Sequence, residues 1–192
     1  ITFEDAIEMT HLRGKLMQNS DEGKMMAILG LDSKTIDEAC LQINESHKTA
    51  FVASANYNSA KQTVIAGNIE GIDIARNLFP DIGAKRCIEL NVSIASHTNL
   101  MTDAANEFIE SLQKINLSPP RYPIIQNYTG EIETDVFSIK QNLFNQLTKP
   151  VLWTKTMDKI SQSASCLIEV GPKNILCGLS KGYDLSSILY IA

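Results

Sequence analysis

The 192-residue sequence predicts an α/β protein that includes a small lobe with the strand and helix order βαββαβ. Along 25–94 the spacing of apolar residues switches between two, which is typical of strands, and three to four, which is typical of helices. The flanking segments 1–24 and 95–192 combine amphipathic helices with an apolar strand at Cys166–Val170. We therefore expect 25–94 to form a ferredoxin-like small subdomain, and 1–24 with 95–192 to form part of an α/β core.

The first helix is predicted by a capping residue, Thr2, and by apolar residues that recur every three or four positions. Arg13 lies among the apolar residues Leu12, Leu16 and Met17. A guanidinium group in such a place needs an anionic partner to offset its loss of hydration. Helical spacing alone leaves two interpretations open: Arg13 binds an anionic ligand, or its side chain reaches solvent or pairs with an acidic residue of the same helix.

Short strands and helices alternate within the small lobe. The predicted strands are Met25–Leu31, Thr49–Asn56, Lys61–Ala66 and Cys87–Ile94, and the predicted helices are Ser33–Ile43 and Ile69–Phe79. Many unrelated proteins share the resulting ferredoxin-like order, so it predicts architecture and not chemistry.

His97 lies at the junction between a predicted strand and a predicted helix. The strand, 87–94, alternates apolar and polar side chains, and the helix has apolar residues at helical spacing over 100–115. Ser96 or Thr98 can cap that helix. The positive end of a helix dipole disfavours an imidazolium ion, so this position predicts a neutral His97 that acts as a base. The alternative is a histidine that only caps the helix or forms local hydrogen bonds.

The C-terminal part contains the letters of a hydrolase motif in an unsuitable setting. Its predicted elements are a strand at Tyr122–Tyr128, helices around 139–147 and 153–160, a strand at Cys166–Val170 and a helix at Asn174–Lys181. Gly178–Gly182 reads G-x-S-x-G, but a nucleophile in this motif requires a strand before the serine and a helix after it. Because a helix precedes Ser180, we predict that Ser180 is not a nucleophile.

Composition excludes several classes of protein. The net charge of −5 and the acidic isoelectric point argue against general nucleic-acid binding, and no apolar run is long enough to cross a membrane. The four cysteines are widely separated and lie in apolar patterns, so we expect reduced thiols and no metal site. No targeting segment is visible, which favours the cytoplasm. The first residue is Ile1, in a helix signal, from which we expect the sequence to begin within a longer protein.

Several sequence blocks resemble, in order and spacing, the malonyl-CoA:acyl carrier protein transacylases of fatty acid synthesis. The similar blocks are Leu12-Arg13-Gly14-Lys15-Leu16-Met17-Gln18, Ala27-Ile28-Leu29-Gly30-Leu31, Asn56-Tyr57-Asn58-Ser59, Gln62-Thr63-Val64-Ile65-Ala66-Gly67, Gly83-Ala84-Lys85-Arg86, Ser96-His97, Gln146-Leu147, Pro150-Val151, Trp153 and Glu169-Val170-Gly171-Pro172. The resemblance runs from residue 1 to about residue 182 and implies an α/β-hydrolase-like acyltransferase core with the small lobe inserted.

The resemblance also implies a two-step acyl transfer. A serine in a G-H-S-L-G motif takes malonyl from coenzyme A and passes it to the phosphopantetheine thiol of acyl carrier protein. His97 matches the catalytic base, Gln146 matches the residue that orients His97, and Arg13 matches the clamp for the malonyl carboxylate. Ser96 is small and leaves room beside the base for the acyl group.

The serine motif and a G-Q-G-S-Q segment that the resemblance implies do not occur in these 192 residues. We therefore expect the isolated chain to be inactive, and two alternatives stay open: a non-catalytic remnant that only binds acyl carrier protein, and a related polyketide-type acyltransferase. The expected partners are malonyl-CoA and acyl carrier protein, with no cofactor, metal, nucleic acid or membrane. The expected state is a monomer in the cytoplasm or in an organelle of bacterial origin.

Overall fold

A computed structural model describes residues 1–191. Within them the chain has a mixed α/β architecture. The helices are α1 (Phe3–Gln18), α2 (Ser33–Ser46), α3 (Ile69–Asp81), α4 (Thr102–Lys114), α5 (Val136–Thr148), α6 (Trp153–Ser161) and α7 (Ile175–Leu179), and a 3-10 turn spans Asn99–Met101. The strands are β1 (Lys24–Leu29), β2 (Val52–Ser59), β3 (Gln62–Gly67), β4 (Arg86–Glu89), β5 (Ile124–Gln126), β6 (Glu131–Glu133), β7 (Cys166–Val170) and β8 (Ser187–Ile191). No helix among these residues is both long and apolar enough to span a bilayer.

Strands β1 to β4 form an antiparallel sheet in the order β2-β3-β1-β4. Helices α2 and α3 pack on one face of this sheet and bury a core that includes Ile28, Ile36, Ile65, Ile72 and Phe79, all shielded from solvent. The strands and helices therefore follow in the βαββαβ order that the sequence predicts. Asn68 caps α3 by accepting a hydrogen bond from the Gly71 amide, as its residue type favours.

The other face of the sheet packs against the segment that leads to His97. The small buried side chains Ala27, Ala66 and Ala95 share one cluster there. Gly23 lies so close to this segment that a Cβ on it would meet the Ala95 Cβ at 2.7 Å. Only glycine fits at that position without displacing the segment. The sheet thus supports the backbone immediately before the candidate site.

A second core joins the helices on the far side of His97. Met17 of α1, Met101, Phe108 of α4 and Leu147 of α5 are buried in one cluster. Arg13 lies one helical turn before Met17 on α1, and its charge acts on His97, so this packing brings the two candidate site residues into one region.

Some elements differ from their predicted bounds. The predicted strand at Cys87–Ile94 ends at Glu89, because the chain then turns away and only Ile94 returns to bridge Glu22. Strand β6 and strand β8, which pairs in parallel with β7, are not among the predicted elements. The helix predicted over 99–115 begins as a 3-10 turn, which Thr98 caps by accepting a hydrogen bond from the Leu100 amide at 3.3 Å.

Candidate active site

The C-terminal turn of α5 holds His97 at two points. The His97 amide donates to the Leu147 carbonyl oxygen at 3.0 Å, and Nδ1 lies 2.7 Å from the Gln146 carbonyl oxygen. The last four carbonyl groups of a helix lack partners within the helix. The Gln146 carbonyl would otherwise face the amide of residue 150, but that residue is Pro150, which has no N–H. Pro150 therefore leaves the Gln146 carbonyl free to accept from the imidazole.

Among residues 1–191, His97 is the one residue other than glycine whose backbone φ angle is positive, at +64°. This left-handed conformation is uncommon for residues with a side chain, although histidine and asparagine adopt it more readily than most. The two hydrogen bonds to the end of α5 offset the cost of this backbone conformation. They also fix the plane and direction of the ring.

The hydrogen bond to Gln146 determines which ring nitrogen carries the proton. A carbonyl oxygen can only accept, so in the neutral ring Nδ1 holds the hydrogen and donates it. The lone pair is then on Nε2, which is the nitrogen that can accept a proton from a substrate or a nucleophile.

Burial keeps His97 neutral. Desolvation lowers the pKa of the ring below its ordinary value of 6.5, and the positive charge of Arg13 lowers it further, while the Gln146 carbonyl opposes both. The sequence analysis expects a neutral ring because of the positive end of the following helix; in the structure desolvation is the largest cause of the lowered pKa.

We expect nitrogen-15 NMR of His97 to show the Nδ1–H tautomer and a pKa below 6.5, because of the hydrogen bond to Gln146 and the loss of hydration. Since the unfolded chain takes up this proton more readily, the free energy of unfolding is expected to fall as the pH drops from 6.5 toward the pKa of the folded state. The chain has three histidines, so replacing His11 and His47 assigns the signal. A dominant Nε2–H tautomer would contradict the assignment of Nε2 as the base.

The Arg13 side chain is a partly buried cation. Its Nε atom is buried without a hydrogen-bond partner within residues 1–191, and burial lowers the pKa of the guanidinium group. An arginine nevertheless stays protonated in proteins. Glu4 and Glu8 on the same helix are exposed and form no ion pair with Arg13 in the described part of the chain. Of the alternatives to a ligand role, an ion pair along the helix is thus absent from the described residues, whereas the partly exposed Arg13 side chain does contact solvent.

The remaining predicted residues lie as follows. Gln146 meets His97 through its backbone carbonyl, while its side-chain Nε2 donates to Asn127 Oδ1 at 2.6 Å. Ser96 is buried directly before His97.

Ser180 follows the last residue of helix α7, where it is fully buried and donates a hydrogen bond to the Leu176 carbonyl oxygen at 2.8 Å. The prediction that Ser180 is not a nucleophile agrees with this position. Asn127 lies outside all of the sequence motifs that mark the other site residues.

No protein-family model matches the sequence, but individual relatives do. The chain is 40% identical over 185 residues to the malonyl CoA-acyl carrier protein transacylase of Salmonella typhimurium. This alignment covers 94% of this chain and 59% of the relative. It is 34% identical to the protein of the same name from Bacillus subtilis, with 94% of this chain and 58% of that relative covered. The chain thus spans about 59% of the length of the curated relatives it matches.

Solved structures give the same result. FabD from Acinetobacter baumannii superposes with a TM-score of 0.94 and 37% identity over 100% of this chain and 62% of that one. A malonyl-transacylase in complex with a type II PKS acyl-carrier protein gives a TM-score of 0.90 and 36% identity over 99% of this chain and 62% of the other.

Fold and site together define an α/β protein with a buried, oriented histidine whose pKa is lowered, near an arginine that has no anionic partner within residues 1–191. By sequence and by fold the chain is a homologue of the malonyl CoA-acyl carrier protein transacylases, which confirms the resemblance that its motifs predict.

Proposed function

We propose that the chain supplies the base and the carboxylate clamp of a malonyl-CoA:acyl carrier protein malonyltransferase of fatty acid biosynthesis. The observation that carries the proposal is the buried, unpaired Nε of Arg13, whose charge acts on the neutral His97. A cation that has lost its hydration binds an anion favourably, and malonyl differs from acetyl by one carboxylate.

In the proposed reaction, His97 Nε2 takes the proton of a serine hydroxyl as the serine oxygen attacks the thioester carbonyl of malonyl-CoA. The C–S bond then breaks, and the imidazolium returns the proton to the departing thiolate of coenzyme A. The thiol of acyl carrier protein repeats these steps in reverse and removes malonyl from the serine. The Gln146 carbonyl accepts from Nδ1–H throughout, so it stabilises the positive charge that the ring carries transiently.

The proposal requires a serine from outside these 192 residues, since the G-H-S-L-G motif is not among them. Arg13 binds the malonyl carboxylate by a pair of parallel N–H···O bonds, and the small side chain of Ser96 leaves room beside His97 for the acyl group. No cofactor takes part in this chemistry.

The fold supports a division of the chain into two structural parts, of which one carries both candidate site residues. We assign 1–24 and 95–192 to part of the α/β-hydrolase-like acyltransferase core, which carries Arg13 and His97, and 25–94 to the ferredoxin-like subdomain. The order of the four-stranded sheet, whose strands all lie within 24–89, supports this assignment. The proposed partners are malonyl-CoA and acyl carrier protein, and the structure of a relative in complex with an acyl-carrier protein supports the latter. We propose a cytoplasmic monomer.

A chimera tests the function directly. This chain would replace the matching 185 residues of the Salmonella typhimurium relative, which supplies the rest of that longer protein. We expect the chimera to transfer radiolabelled malonyl from malonyl-CoA to acyl carrier protein, because the chain brings an oriented base and an anion site. The unmodified relative is the positive control. A folded chimera that binds acyl carrier protein without transferring malonyl would instead support the non-catalytic binding module.

A further inference from the structure

Asn127 holds the chain on both sides of Pro150. It lies in the turn that follows β5, where its Oδ1 accepts a hydrogen bond from Gln146 Nε2 at 2.6 Å. Its backbone carbonyl oxygen accepts from the Leu152 amide at 2.7 Å. One residue therefore fixes the last turn of α5 and the start of the segment that enters α6.

This connection matters because the last hydrogen bond within α5 runs from the Lys149 amide to the Asn145 carbonyl oxygen, so no bond of the helix itself reaches the Gln146 carbonyl. Pro150 offers no amide to the Gln146 carbonyl, and the Val151 amide donates to the Ala55 carbonyl oxygen at 2.8 Å instead of to α5. A helix end without such bonds frays readily. The side-chain bond between Gln146 and Asn127 is then a direct restraint on the residue whose carbonyl meets the imidazole.

His97 in turn depends on that carbonyl. Its left-handed backbone and its ring are held by the carbonyl groups of two consecutive residues, Gln146 and Leu147. A movement of the last turn of α5 would lengthen both bonds at once. Nδ1 would then lose its acceptor, and within residues 1–191 the ring has no second hydrogen bond that fixes the tautomer.

We propose that Asn127 is a positioning residue, which acts through the Gln146 side chain to keep the His97 lone pair on Nε2. The inference rests on the proposed function only in that it takes His97 to be the base. Asn127 itself touches neither the ring nor, in the proposed reaction, the substrate.

The test is the tautomer ratio of neutral His97, measured by nitrogen-15 NMR on the 192-residue chain. We expect Asn127→Ala to lower the ratio of Nδ1–H to Nε2–H by about 2- to 10-fold, the effect of weakening one hydrogen bond. Gln146→Ala removes the same bond from the other side but keeps the backbone carbonyl, so it should give a similar change. The double variant should change no more than either single one, because both remove one interaction. Asn127→Asp keeps an acceptor oxygen and should retain the original ratio.

Asn145→Ala, one position before Gln146 on α5, is the matched control and should leave the ratio unchanged. An unchanged ratio in folded Asn127→Ala overturns the proposal, as does an additive effect in the double variant. If Asn127→Ala does not fold, the tautomer ratio in Gln146→Ala alone tests the proposal, and an unchanged ratio there overturns it. Because the measurement needs no acyl transfer, an inactive chimera would overturn the proposed function and leave this result standing.

Discussion

His97→Asn in the chimera is expected to lower malonyl transfer on the order of 10⁴- to 10⁶-fold, the effect of removing the base from a serine–histidine pair. Asparagine is the informative replacement because it adopts the left-handed backbone of residue 97 more readily than alanine. The variant should therefore keep the local fold and lose only the basic nitrogen. The measurement is the rate of malonyl-serine formation after rapid mixing with malonyl-CoA.

His47→Asn is the matched control, since the Nδ1 of His47 also lies near a helix carbonyl oxygen, that of Ile43 at 3.2 Å. It should transfer malonyl at the rate of the parent chimera. The acidic limb of the parent's pH profile should lie below pH 6.5, because desolvation lowers the pKa of His97 and keeps the base deprotonated at lower pH. A loss of less than tenfold in a folded His97→Asn would show that His97 is not the base.

The sequence singles out His97 as a candidate base and, through the resemblance, Gln146 as its orienting residue, but not the atom through which Gln146 acts. A strand running into a helix, with a histidine at the junction, is visible as a change of period around His97. The orienting group is the backbone carbonyl of Gln146, and every residue has such a carbonyl, so its role cannot be read from residue type. The signal that was available is Pro150, which lies four residues after Gln146 and removes the amide that this carbonyl would otherwise meet.

Long periodic elements were predictable, whereas short strands were not. Helix α1 and helix α3 each present several apolar residues at helical spacing and begin at a capping side chain. Strand β6 has three residues, too few to show a period of two, and is defined only by its pairing with β5. The end of β4 likewise depends on where the chain leaves its partner strand, and the alternation of side chains continues beyond that point.

Arg13 shows what tertiary structure adds to a helical pattern. Spacing on α1 allowed both an ion pair along the helix and a ligand-binding role. The choice between these two roles depends on whether the guanidinium group loses its hydration, which the packing of the folded chain determines and helical spacing does not. Burial of Nε without a partner in the described chain favours the ligand role, and on that ground we propose that Arg13 selects the acyl group.

Arg13→Ala in the chimera is expected to lower malonyl transfer by roughly 10² to 10⁴, which corresponds to about 3 to 5 kcal/mol for a desolvated, bidentate charge pair. Acetyl transfer should be unchanged or rise. Without the guanidinium group the malonyl carboxylate would enter a partly apolar site and lose its hydration uncompensated, whereas acetyl carries no charge. The measurement is kcat/KM for malonyl-CoA and for acetyl-CoA with the same acyl carrier protein.

Two further variants separate charge, geometry and helix packing. Arg13→Lys keeps the positive charge but lacks the planar arrangement of donors, so it should restore malonyl transfer only in part. Lys15→Ala removes a positive charge from an exposed position on the same helix and should leave the preference for malonyl over acetyl intact. Equal losses for the two acyl groups in Arg13→Ala would mean that Arg13 stabilises α1 against the rest of the fold and does not bind the carboxylate. The ratio of the two kcat/KM values, and not either rate alone, therefore distinguishes a carboxylate clamp from a structural arginine.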